Sequence, residues 1–167
     1  MLAHLIALPV AGYITRNHRR LIEGATSLPS AHKRRLAPYF PEAIRHAVRV
    51  HERDPLPIPQ PPLTGLVRKL GLSYPDLSLT AAITFGDLIV TREPMPISLL
   101  FHELVHVVQY RQLGIPAFAR HYVQGLLTHR AYEKIPLEAH AFHLEARFEF
   151  DRQPFNVEAE VTRLLNS

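Results

Sequence analysis

The apolar positions fall into short runs whose spacing predicts more helix than strand. Leu2, Leu5, Ile6, Val10, Tyr13, Ile14 and Leu21 recur at the intervals of one helix face. Pro9 lies inside that run and predicts a break or bend, because proline lacks an N–H and its ring crowds the preceding turn. Between Leu28 and Arg53 the prolines at 29, 38 and 41 interrupt the pattern, and residues 47–51 (AVRVH) then alternate as a strand does; a helix starting at Pro41 is the competing reading. Residues 54–62, DPLPIPQPP, carry five prolines in nine positions and predict an extended connector, either a loop packed on the domain or a docking site for a proline-reading partner.

The second half is more regular. Residues 79–92, LTAAITFGDLIVTR, hold two β-prone runs around Gly86-Asp87 and predict a β-hairpin, since glycine takes the positive φ of a tight turn. Pro94 and Pro96 end it. Residues 98–113 then read as a helix, with Ser98 as its cap and Gly114 and Pro116 as its stop. A further helical stretch covers 117–127. Pro136 suits the first position of another helix, striped by Leu137, Ala141, Leu144 and Phe148, and residues 156–167 add a short terminal one.

At 167 residues the chain is expected to form one domain, with residues 1–62 a helical and proline-rich region and 63–167 the core. Hydrophobic residues at 47% and charged residues at 20% exclude a disordered or fibrous class. The net charge of +4 comes from basic residues in scattered short groups without an aromatic platform, so nucleic acid is not an expected partner. Residues 2–14 lack a basic leader and are too short to span a bilayer, which predicts a cytoplasmic protein. Because Arg16, His18, Arg19 and Arg20 follow that apolar stretch, contact with a membrane surface is an alternative use for it. No cysteine is present, so any metal must take nitrogen and oxygen ligands, and the 11 histidines supply the nitrogen.

Two of those histidines stand out. In FHELVHVVQY, His102 and His106 are four apart and project from one helix face, where both imidazoles can grip one ion. Glu103 points about 100° around the axis, which suits a general base beside the water of a zinc ion rather than a ligand. Apolar residues surround the motif on nearly all sides, so the helix is expected to be buried. Burying two imidazoles and a carboxylate is costly unless a cation compensates them; a pair of hydrogen-bonded core histidines is the plainer reading. A catalytic zinc takes a third protein ligand, and Glu138, 32 residues beyond His106 at the start of the next strong helix, is the first choice. Glu145 and His143 are its rivals, and Glu138 could instead serve only the helix dipole.

The segment from Leu79 to Arg147, with SLLFHELVHVVQYRQLG and AYEKIPLEAHAF, resembles a group of largely uncharacterised bacterial proteins assigned as metallopeptidases. These pair a HELxHxxQ helix with a downstream PLExxA segment, and some are associated with extracellular contractile injection systems. The resemblance, and the similar gluzincin class of zinc peptidases, imply that His102, His106 and Glu138 are the zinc ligands and Glu103 the general base. Residues 1–70 lie outside it. For the oxyanion, Tyr132 is the first candidate donor, ahead of Tyr122, His129 and His140, and Gln109 is a candidate to support His106.

The expected fold class is α+β: a minimal zincin-like domain with the hairpin packed on the buried HExxH helix and a second, ligand-bearing helix crossing it. The expected function is zinc-dependent hydrolysis of a peptide or protein substrate, which could add as an extended strand beside the hairpin. The alternative is a non-catalytic interaction or assembly domain that retains the metal site.

Overall fold

In the computed structural model, which describes residues 2–54, 58–62, 64–65, 80–151 and 153–166, the N-terminal run forms helix α1 over Leu2–Leu21. The helix passes through Pro9 without the predicted interruption. Leu5, whose carbonyl loses its partner to the proline, is exposed, as are Leu8 and Pro9, so water can satisfy that oxygen, while Ile6, Tyr13 and Ile14 on the other side are buried. A short 3-10 turn, Ile22–Gly24, leads into strand β1 (Thr26–Ser27). Helices α2 (Ser30–Leu36) and α3 (Glu42–Ala47) follow, and strand β2 covers Arg49–Glu52. The two competing readings of this stretch each hold for part of it: Pro41 caps a short helix, and the alternating residues after it become strand.

The hairpin forms as predicted from β3 (Ala82–Phe85) and β4 (Leu88–Thr91), paired antiparallel with Phe85 opposite Leu88. Gly86, at φ 71, opens its two-residue turn. These strands join the first two in a sheet of order β1-β2-β4-β3, in which β2 runs parallel to β4 and β3 forms an edge. Residues 55–57 of the proline-rich connector, Leu79 and Ser167 lie outside the described residues.

Helix α4 spans Ile97–His129 and is bent at Gly114, whose φ of 73 and ψ of 159 are open to glycine and strained for other residues. The stop signal thus separates two helical segments without a loop between them. Helix α5 (Pro136–Phe150) begins on its proline, and α6 (Val157–Leu165) is capped by the Asn156 side chain, which accepts from the Ala159 N–H at 3.0 Å. Residues 101–110 of α4 are all buried, with the sheet, α1, α5 and α6 packed around the helix. The fold is α+β, as expected. Among the described residues no helix is long and apolar enough to cross a membrane.

Candidate metal centre

Helix periodicity brings His102 and His106 together, and the crossing of α5 over α4 delivers Glu138 from the first turn of α5. The crossing is close because Gly125 allows it: a Cβ there would lie 2.7 Å from Pro136 Cδ and 3.0 Å from Ile135 Cγ2. The three ligating atoms are mutually adjacent, with His106 Nε2 3.2 Å from His102 Nε2 and Glu138 Oε2 3.3 Å and 3.5 Å from the two nitrogens. Metal–ligand bonds of about 2.0–2.2 Å in a tetrahedron require ligand–ligand edges of roughly 3.3–3.6 Å, so the triangle has the size of a metal site before any ion is added. All three residues are buried, and together they form a group that can hold a metal ion.

The surrounding hydrogen bonds favour a positive charge there, whether a proton or a metal ion. The Gln109 amide donates to the Leu137 carbonyl at 2.9 Å, which turns its oxygen toward His106 Nδ1 at 2.8 Å. His106 Nδ1 must then carry the hydrogen. His102 Nδ1 likewise donates to Glu145 Oε2 at 3.0 Å. With both Nδ1 protons committed, the two Nε2 atoms turn lone pairs toward each other and toward Glu138 Oε2, a buried oxygen that lies within 3.5 Å of both without a well-aligned hydrogen bond in this neutral state. Three lone pairs at van der Waals contact repel unless a proton or a metal sits among them. Without metal a proton takes that place. Burial alone would lower the His106 pKa, but Glu138, Glu103 and the Gln109 hydrogen bond together outweigh it and push the value up to about 9. For Glu138 burial favours the neutral acid, yet the charge on His106 and donors from His102, His106 and Tyr132 hold it well below the usual carboxylate range.

Glu103 is buried beside this group but outside the ligand set. Its Oε2 accepts from the Thr84 hydroxyl at 2.5 Å, so the hairpin's edge strand fixes its orientation. Burial raises its pKa, against the pull of His106, His102 and the Thr84 hydrogen bond. A raised carboxyl pKa is the usual tuning of a general base, although a metal ion's own charge would draw it back down.

Of the rival ligands, Glu145 supports His102 from behind, and His143 is exposed. Spacing could have identified that role: Glu138 and Glu145 are seven apart and share one face of α5. Tyr132 and Tyr122 both line a cavity with Glu103, His106 and Glu138, and the Tyr132 hydroxyl donates to Glu138. His129 is exposed. His140 sits beside His143 and Arg163, where burial and those charges lower its pKa. Sequence reasoning missed Thr84 and Phe142, whose ring packs 4.7 Å from that of His102 and is partly exposed.

No protein-family model, curated protein or solved structure matches the chain. The centre therefore rests on its own geometry.

Proposed function

We propose that the chain is a zinc-dependent peptidase of the gluzincin-like kind, with His102, His106 and Glu138 as metal ligands and Glu103 as general base. One observation carries the reading: two imidazole nitrogens and a buried carboxylate oxygen converge at tetrahedral spacing, while a second carboxylate, Glu103, is held next to them by Thr84 and kept out of the ligand set. A two-histidine, one-glutamate donor set with an open fourth position is a known catalytic zinc arrangement, and zinc there supplies Lewis acidity to a carbonyl and acidity to water. Glu103 accepts the proton from the attacking water and returns it to the leaving amine. Tyr132 borders the same cavity, and its hydroxyl would turn from Glu138 to donate to the oxygen anion of the tetrahedral intermediate. An extended substrate would lie along β3, the sheet edge that carries Thr84.

The test has two parts. The double variant His102→Ala, His106→Ala is expected to lose zinc by elemental analysis, and full retention would exclude these ligands. Glu103→Gln is expected to keep zinc and fold while hydrolysis of a broad peptide library falls at least ~100-fold. Zinc-loaded wild type that cleaves nothing between pH 5 and 9 would instead favour a non-catalytic metal-binding domain.

A further inference from the structure

The cavity beside the metal group is walled in part by segments of the chain that lie outside the resemblance. Ile6, Val10, Tyr13 and Ile14 of α1 form one side, and Pro61 and Pro62 contribute to the rim. The second segment of α4 adds Phe118 and Val123 to the lining. Two polar links hold this wall in place. The Tyr13 hydroxyl donates to the Pro59 carbonyl at 2.7 Å, and His18 pairs with Asp87 of the hairpin turn at 2.6 Å.

The cavity measures ≈ 130 Å³, and Glu103, His106 and Glu138 border it. An apolar cavity of about 150 Å³ is enough to take up benzene, so this one matches a leucine- or phenylalanine-sized side chain. Its lining is mainly apolar, and its charged groups are those of the metal end, Glu103, His106 and Glu138. A closed core would have filled such a space.

We infer that α1 and the proline-rich rim make a side-chain pocket for the metal site, and that its substrates carry a bulky apolar residue next to the scissile bond. This rests on the peptidase reading above and adds the class of substrate. It gives α1, which has no ligand or base, a direct part in recognition.

The experiment uses the full-length zinc-loaded protein and two probes that share a metal-binding head, acetohydroxamate and 3-phenylpropionohydroxamate, with affinity measured by calorimetry. Wild type is expected to bind the phenyl compound at least ~10-fold more tightly, as burial of an aromatic group predicts. Val123→Phe, which fills the pocket from α4, should erase that preference and leave zinc content and acetohydroxamate affinity unchanged. Ile6→Ala, which widens it from α1, should shift preference at least ~3-fold toward a naphthyl analogue by the extra apolar area it can bury. Equal affinity for the first two probes in zinc-loaded wild type would overturn this inference alone, and so would a phenyl preference that survives Val123→Phe. Failure of wild type to hold zinc would instead overturn the peptidase reading and this inference with it.

Discussion

On one face of α4, Phe101, Leu104, Val105 and Val108 have no exposed surface and pack with Phe40, Ile44, Leu144 and Val161 into a filled layer. On another face, Tyr110 and Phe118 pack with Tyr13 and Ile14 of α1, yet a cavity remains that ends at the metal group. The filled face is an aromatic cluster: the Phe101 ring stacks on Phe148 at 4.4 Å and meets Phe40 and Tyr39 edge-on at 5.0 and 5.5 Å. It fixes α4 against α5 next to His102, so the ligands from the two helices keep their spacing. One face supplies rigidity and the other supplies space. The site as proposed, which would hold an ion and admit a substrate, needs both.

The largest expected effect tests the rigid face. Phe101→Ala removes a fully buried ring at the centre of the cluster and should cost about 3–5 kcal/mol of stability in denaturant titration. A loss under ~1 kcal/mol would mean that the layer relaxes freely and does not brace the site.

The next effect tests the ionic state between the faces. His106 is held near 9 because Glu138, with Glu103 and Gln109, outweighs burial, so a metal must displace its proton. Zinc affinity should therefore rise with pH, by up to about tenfold per unit, and level off near 9. In the metal-free protein the sign is opposite. The His106 pKa is raised on folding, so the stability it contributes is present below pH 6.5 and fades as pH rises through about 9. Chelator competition from pH 6 to 9.5 and melts of the metal-free protein check the two limbs, and flat curves in both would remove Glu138 as the partner of His106.

A smaller change is expected from Gln109→Leu. It deletes the acceptor that holds His106 Nδ1 and the donor to Leu137, and should weaken zinc binding about 10–100-fold with the fold retained. Unchanged affinity would show that helix geometry alone aims the imidazole.

The metal group was legible in the sequence to the degree that its signals are local. Four-residue spacing placed His102 and His106, the apolar surroundings foretold their burial, and Pro136 fixed the start of the helix that carries Glu138. The Gly86-Asp87 turn was equally readable. The wall of the cavity was not, because it depends on contacts between residues far apart in sequence: Tyr13 with Pro59, His18 with Asp87, and α1 with both segments of α4. The parallel pairing of β2 with β4, and the clearance that Gly125 leaves for Pro136, likewise show nothing in a local window. The apolar stripe of α1 read equally well as core or membrane-surface helix; its buried side packs against α4 and β3.

The smallest expected effect makes the comparison quantitative with one chemistry on one helix. Val108 and Val123 both lie on α4 and both are buried, but Val108 sits in the filled layer and Val123 borders the cavity. Trimming valine to alanine removes two methyl groups, a transfer loss of roughly 1.6 kcal/mol on full burial. At Val108 the surrounding atoms cannot follow, so a cavity term adds to it and the total should reach ~2–3 kcal/mol. Val123 has empty space on one side, so it makes fewer dispersion contacts to lose, and Val123→Ala should cost only ~1 kcal/mol. The difference, about 1 kcal/mol or more in paired denaturant titrations, measures how open the cavity is in solution. Equal losses would mean that the wall collapses onto Val123, and the pocket would then not exist before a ligand enters it.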